Sequence, residues 1–325
     1  MTAFAARIVN TGKLTVTRVD VHSTVSFNSI RYYDYMRANY RALADVPARV
    51  RFIAYCLDRP SAFWLSRVAG LAGVVAIPYA RGSLGHALGI EAALQRCEPS
   101  AVHVIADADT AVVARGWDSM IVEALTESQR YGILGVPYED IGGFSTGVVL
   151  HQTYKRIPTM TWMAMSPHFD FRTLEARPDK GTAIELDTEE LSKIYNLPVG
   201  FSVLKDVGWQ IPGFIHHHGI PYLALNLVSP ASPLAKALAG TAPYHDEFHW
   251  DGIPFLAHQR GSMKHRFRID PLSRDFYDAC DSYLGNPSWS VHSTIFDRTL
   301  AKAQDMLGAI KKCVRPMLRR RISSL

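Results

Sequence analysis

The first half of the chain alternates short apolar runs with stretches whose apolar residues recur every three or four positions. "KLTVTRVDVHSTV" is rich in β-branched residues and predicts a strand. In "SIRYYDYMRANYRALA", Ile30, Tyr33, Met36, Tyr40 and Leu43 fall at helical spacing, with Ser29 placed to cap the helix. "RVRFIAYCLD" predicts a second strand ending at Asp58, "PSAFWLSRVAGLAG" a helix, and "VVAIPYA" a third strand. "GSLGHALGIEAALQRC" predicts a helix and "AVHVIAD" a fourth strand. Such alternation favours a mostly parallel sheet covered by helices on both faces, a Rossmann-like α/β half.

Beyond residue 110 the pattern loosens. "YGILGVPYEDIGGFSTGVVLH" predicts short strands around a Gly-Gly loop. "DTEELSKIYNL" predicts a helix capped by Asp187, with Glu190 three residues on. "VGWQIPGFIHHHG" has helical character, interrupted at Pro212 and stopped at Gly219. "IPYLALNLV" follows as a strand, and "SPASPLAKALAGTAP" has the make-up of a surface loop or linker. The expected organisation is one domain over 1–290, with a nucleotide-binding half (1–115) and an acceptor half (116–290), followed by a basic tail (291–325).

With 48% apolar and 20% charged residues the 325-residue chain has the make-up of a globular protein with a large core. No apolar run approaches the length of a membrane span, and the start lacks the layout of a secretory signal. The four cysteines show no metal-type spacing and are expected as reduced thiols in a cytoplasmic protein. The net charge of +5 is uneven: from Lys302 onward seven Lys and Arg residues face Asp305 alone, which leaves residues 1–301 slightly acidic. That argues against a nucleic-acid-binding core. Leu300, Ala303, Met306, Leu307 and Ile310 share one face of a tail helix, so residues 300–325 suit attachment to an anionic membrane surface as well as a solvated terminus.

The segment "VHVIADADTAVV" ends an apolar strand on two carboxylates, Asp107 and Asp109. An arbitrary Asp-x-Asp is a surface turn. At the carboxyl edge of a parallel sheet, where ligands bind, it is also what a Mg²⁺ or Mn²⁺ site with a phosphate-bearing substrate requires. Asp58 and the His22–Ser23–Thr24 segment are expected on the same rim.

In its order of elements, "SLGHALGIEAALQRCEPSAVHVIADADTAVVARGWDSMIVEAL" resembles the nucleotide-sugar-binding half of the family 2-like glycosyltransferases of GT-A fold. The elements are the Gly-His-Ala-x-Gly helix, Asp107-Ala108-Asp109, and Gly116-Trp117. The similarity extends more faintly to "FSVLKDVGWQIPGFIHHHGIPYLALN" and ends at "FLAHQRGSMKHRF", roughly residues 14–268 in all. The resemblance implies a hexosyltransferase-like enzyme using a nucleotide-diphosphate sugar, UDP-linked by preference, with Mn²⁺ or Mg²⁺. The acceptor would be a glycan, a lipid-linked sugar or a protein, as in polysaccharide or glycoconjugate synthesis. It implies that Asp109 and His258 bind the metal, that Asp107 holds the ribose and helps orient the metal, and that Ser262, Lys264 and Arg266 meet the diphosphate. Asp58, His22, Ser23 and Thr24 would line the base and ribose pocket, with Arg81 and His86 beside them.

Asp206 stands where the family keeps the base that activates the acceptor, which would make the reaction inverting. The chain departs from the pattern at Lys205, where a second acid is usual, and Asp206 as a mere helix cap is an equal alternative. Glu139, Asp140 and Asp251 are the reserve candidates. The "HHH" at 216–218 cannot converge on one ion, because successive helical residues point about 100° apart. "YHDEFHWDG" either borders the acceptor site or forms a polar surface loop. Two other functions compete: a non-catalytic nucleotide-sugar-binding protein, and a haloacid-dehalogenase-type phosphatase. The latter motif wants Thr or Val where this chain has Ala111.

Overall fold

The computed structural model describes residues 18–77, 82–127, 130–137, 149–151, 156–228 and 245–259, with 276, 280, 281, 283, 284, 306 and 310. The alternating first half forms β1 (Arg18–Val25), α1 (Ile30–Leu43), β2 (Val50–Cys56), α2 (Arg59–Phe63), β3 (Val74–Ala76), α3 (Gly82–Leu94) and β4 (Ala101–Ala106). There follow β5 (Thr110–Val112), α4 (Trp117–Val122), β6 (Ile133–Pro137), β7 (Val149–His151), β8 (Pro158–Met165) and β9 (Ala183–Glu185). The described order closes with α5 (Glu189–Tyr195), β10 (Ser202–Leu204), α6 (Ile211–His218), β11 (Tyr222–Ala224), β12 (Asn226–Leu227), β13 (His245–Trp250) and β14 (Ile253–Gln259).

Seven strands build the central sheet in the order β11-β6-β8-β4-β1-β2-β3. β8 runs antiparallel to both its neighbours and the other pairs are parallel. β4 and β8 are buried throughout, as central strands covered on both faces are; their buried polar residues find partners, Thr159 Oγ1 donating to the Val136 carbonyl and His103 bonding His22. The expected α/β class, a mostly parallel sheet flanked by helices, is the one observed. Strands from both halves of the chain share this sheet. β1 and β4 are neighbours although β1 continues in sequence to β2 on its other side. The strand order therefore reverses between them, the place where a crevice opens beyond the carboxyl ends of parallel strands.

The predicted stripe of α1 is buried at Ile30, Tyr33, Met36, Tyr40 and Leu43. Its polar Asn39 is buried too, and its amide exchanges two hydrogen bonds with the backbone of Val112, at 3.0 and 2.7 Å. β5 is the edge of a second, four-stranded sheet (β12-β13-β14-β5), so Asn39 occupies backbone groups on a strand with one neighbour in the sheet. Gly116, in the left-handed region at φ 71°, precedes α4 and turns the chain so that Trp117 is buried against Tyr40, its Nε1–H donating to the Tyr40 carbonyl.

Several local expectations shift. Thr188 caps α5 by accepting from the Leu191 N–H, one residue after the expected Asp187. Pro212 lies in the first turn of α6, where its missing N–H costs nothing, so it opens that helix. Gly219 ends it in the left-handed region. "YHDEFHWDG" is a strand and not a surface loop over 245–250: β13 pairs with β14 through a turn at Asp251 and Gly252, at φ 48° and 82°, the geometry that favours Asp-Gly. The linker expected at 229–243 lies outside the described residues, as does most of the tail, of which Met306 and Ile310 are helical and exposed. Among the described residues, no helix is long and apolar enough to cross a membrane.

Asp118, fully buried in α4, ties this helix to the turn before β2. It accepts from the N–H groups of Asp45 and Val46 and from Arg49 Nε at 2.7, 3.1 and 2.8 Å. Burial by itself would raise its pKa; these donors outweigh burial and hold the carboxyl below its ordinary value. A depressed folded-state pKa contributes stability that is present above the unfolded value and lost as pH falls through the folded one. Asp118→Asn is therefore expected to lower stability at pH 7 by about 1–3 kcal/mol. It is also expected to flatten the loss of stability below pH ~4, as read by urea unfolding across pH.

Candidate metal and nucleotide site

The two carboxylates sit in the turn between β4 and β5, where the chain leaves the central sheet for the smaller one. The backbone anchors the turn from both sides. Asp107 N–H donates to the Thr161 carbonyl at 2.8 Å, and the Asp107 carbonyl accepts from Thr110 Oγ1 at 2.7 Å. Asp109's carbonyl accepts from the Gln259 N–H at 3.1 Å, joining the turn to the end of β14. In the β5–β14 register, His258 stands opposite Thr110. Strand pairing thus brings His258 to the acidic turn, and one ligand-type atom each from Asp107, Asp109 and His258 lies within 4.8 Å of the others.

His258 Nε2 is 3.6 Å from Asp109 Oδ1, and Nδ1 is 3.7 Å from Asp246 Oδ2 on β13. Burial disfavours the imidazolium, but Asp109 and Asp246 outweigh it and hold His258 up at about 10. Asp107 is pushed up as well, to about 6: burial raises it, His86 opposes, and Asp109 adds to the rise. A proton on His258 thus supplies positive charge that the carboxylates call for. Two carboxylates and an imidazole also match the hard and borderline donors that Mn²⁺ and Mg²⁺ accept. His258 Nδ1 is buried without a partner at hydrogen-bond distance, as in a ring oriented by ionic neighbours. The residues present fit a divalent cation.

His86 reaches the site from α3. Its Nε2 is 3.5 Å from Asp107 Oδ1 and its Nδ1 is 2.9 Å from Thr24 Oγ1, so it bridges the ends of β1 and β4 where the strand order reverses. This approach depends on Gly89, one turn along: a Cβ there would lie 2.3 Å from Thr24 Cγ2 and 3.3 Å from Tyr55 Cβ. The expected rim segment divides by strand alternation. Thr24 faces His86, and Ser23, on the other face, donates to Met36 Sδ. His22 is buried beneath the rim, with Nε2 3.0 Å from His103 Nδ1 and Nδ1 3.0 Å from the Tyr55 hydroxyl. Burial, then His103, holds His22 well below its ordinary pKa, as a neutral ring.

Asp20, His22 and His103 form a second close group. Asp20 is engaged by Arg18 and Arg51 and both rings are hydrogen-bonded, so its donors are already satisfied within the protein. Asp58 caps α2: its two oxygens accept from the N–H groups of Ser61 and Phe27 at 2.8 and 2.9 Å, which holds together the loops after β1 and β2.

Asp206 does not open α6, whose cap is Gln210; its Oδ1 accepts from the adjacent Val207 N–H. Its turn does reach the β8 segment behind the acidic pair: Gly208 lies against Met160, next to Thr161. Lys205 is directed to Asp179, at 3.4 Å, and over the Trp209 ring. Asp251 is an exposed residue of the turn that joins β13 to β14. Arg81, Glu139, Asp140, Ser262, Lys264 and Arg266 lie outside the described residues. Asp246 is the residue the sequence reading missed, although the Asp-Gly turn that sets its register is a legible hairpin signal.

No protein-family model and no curated protein sequence matches the chain. Among solved structures it is similar to S. aureus TarS 1–349, at 12% identity over 87% of this chain and 77% of that one, with a TM-score of 0.34. It is similar to the mannosyltransferase PcManGT from Pyrobaculum calidifontis in complex with GDP-Man and Mn²⁺, at 15% identity over 90% and 75%, TM-score 0.34. A third is the galactosyltransferase LgtC in complex with donor and acceptor sugar analogs, at 12% identity over 81% and 95%, TM-score 0.40. The likeness is loose at these values, and the reading of the site rests on its own geometry.

Gly89→Ala is expected to force α3 off β1 and cost about 1–3 kcal/mol by overpacking, as read by denaturant unfolding. Ala at Gly213, where nothing lies within 4 Å, is the control expected to leave the overlying packing intact.

Proposed function

We propose that the chain is a metal-dependent glycosyltransferase of GT-A type, moving a sugar from a nucleotide-diphosphate donor to an acceptor hydroxyl. The observation that carries this reading is the meeting of Asp107, Asp109 and His258 beside the reversal of strand order in the central sheet. In this reading Asp109 and His258 hold a Mn²⁺ or Mg²⁺ ion, and Asp107 orients the ion and the donor ribose. The bound ion supplies Lewis-acid stabilisation of the departing diphosphate.

The chain's own residues do the rest. His86 keeps Asp107 aligned from α3, and Thr24 fixes the other ring nitrogen of His86. Ser262, Lys264 and Arg266 belong to the segment after His258 and supply a hydroxyl and positive charge to the diphosphate. Asp206 takes the acceptor proton on the opposite face of the sugar, so a single displacement inverts the anomeric centre. The turn's approach to β8 and the engagement of Lys205 by Asp179 support that assignment. UDP is the favoured donor nucleotide, and a glycan, lipid-linked sugar or protein is the acceptor class.

Thermal melting with UDP and with GDP, each with and without Mn²⁺, tests the reading. A nucleotide at 100 times its dissociation constant stabilises by about 2.7 kcal/mol, and the shift is expected to require Mn²⁺ and to vanish in Asp109→Ala. A protein whose melting responds to neither nucleotide in the presence of Mn²⁺ would falsify the proposal.

The basic tail is proposed as a peripheral membrane contact, supported by its charge and by the exposure of Met306 and Ile310. Co-sedimentation with vesicles containing anionic lipid is expected for the full chain and lost on deleting residues 300–325. Equal sedimentation of both forms would reject the contact.

A further inference from the structure

We propose that Asp246 is a positioning residue: it takes the Nδ1–H of His258 and so presents the Nε2 lone pair to a cation shared with Asp107 and Asp109. This role rests on the metal reading above. The sheet supplies the first reason. Asp246, His258 and Thr110 stand directly opposite one another on β13, β14 and β5, so a single cross-strand row leads from Asp246 to the acidic turn. Directly opposed residues of an antiparallel pair share a face, which puts the Asp246 carboxylate beside the His258 ring and not behind it.

The second reason is the state of the ring. A neutral imidazole carries one N–H and one lone pair, and a hydrogen bond at one nitrogen decides which nitrogen can bind a metal. His258 Nε2 faces Asp109 at 3.6 Å; Nδ1 faces Asp246 at 3.7 Å and has no partner at hydrogen-bond distance. A buried nitrogen left unpaired is costly, and Asp246 is the carboxylate poised to accept from it. With Asp246 at Nδ1, the lone pair falls on the nitrogen that faces the acidic pair.

Third, Asp246 lies on an inner strand, paired to β12 on one side and β14 on the other, with its side chain 11% exposed. Asp246 itself pairs with His258 of β14, so its carboxylate is held by the ladder at the ring and cannot drift to solvent as a loop residue would. The next acid along, Glu247, is engaged by His249 and is opposite Ala257, so it does not compete for the ring. The outer partner of a metal-binding histidine is worth about 10–100-fold in metal affinity.

The test is Mn²⁺ binding to the full chain, followed by the paramagnetic resonance of the free ion, with circular dichroism to verify folding. Asp246→Ala is expected to weaken binding 10- to 100-fold. The isosteric Asp246→Asn, which removes the charge while preserving volume, is expected to weaken it too, and is the variant to read if the alanine form does not fold. Asp246→Glu, whose extra methylene reaches toward the ring, is expected to recover part of the loss, which a purely structural role would not produce. If Asp246→Ala and Asp246→Asn bind Mn²⁺ within twofold of the unaltered protein while Asp109→Ala does not bind, the positioning role is wrong and the metal reading stands. If the unaltered protein binds no Mn²⁺, the metal reading fails and the role of Asp246 falls with it.

Discussion

Two carboxylates of like charge, one residue apart at the end of a buried strand, set the terms for everything around them. Ligand-type oxygens of Asp107 and Asp109 lie within 4.8 Å of each other, a separation at which two unit charges repel by at least about 3.5 kcal/mol at an effective dielectric of 20. Burial adds to that cost. The protein meets it with a histidine on each side, His86 against Asp107 and His258 against Asp109. Neither histidine is near the pair by accident of local sequence: one arrives on a helix, the other on a strand from far along the chain.

Each arrival depends on a separate packing condition. α3 brings His86 to the end of β1 because Gly89 carries no side chain where Thr24 and Tyr55 approach. β14 brings His258 because its register on β5 is held, and β5 in turn is held by the Asn39 amide of α1. A slip of one residue would turn His258 to the other face of the sheet. The central sheet therefore provides the crevice, while the small sheet provides the late ligand and the carboxylate behind it. α1, which touches no substrate in this reading, ties the two together.

Much of this was legible along the chain. The stripe of α1, the strand–helix alternation and the apolar run ending in Asp107-Ala108-Asp109 follow from periodicity, because a buried face must repeat with its element. The resemblance that drew His86 and His258 to the acidic pair depended on short motifs in order. Other roles were hidden by competition between partners. Asp58 reads along the sequence as a rim residue only; that its two oxygens accept backbone N–H groups and cap α2 is decided by the fold. His22 reads as a rim residue, yet it lies two residues deeper than Thr24 on the same face of β1, where it forms a hydrogen-bonded pair with His103. Thr188 in place of Asp187 is a choice between two good caps that local sequence alone does not rank.

Taken by itself, the sequence determined which segments are buried, which residue types close the fourth strand, and that the charge of the acidic pair requires compensation. These are one-dimensional properties, set by side-chain chemistry and the period of each element. Which residues provide the compensation was decided by tertiary structure: strand order sets the crevice between β1 and β4, and the β13–β14–β5 register sets His258 and Asp246 in one row. The Asp-Gly turn marks a hairpin that can pair Asp246 with His258, but the row meets the acidic turn only through the β14–β5 register between distant segments, which no local pattern encodes.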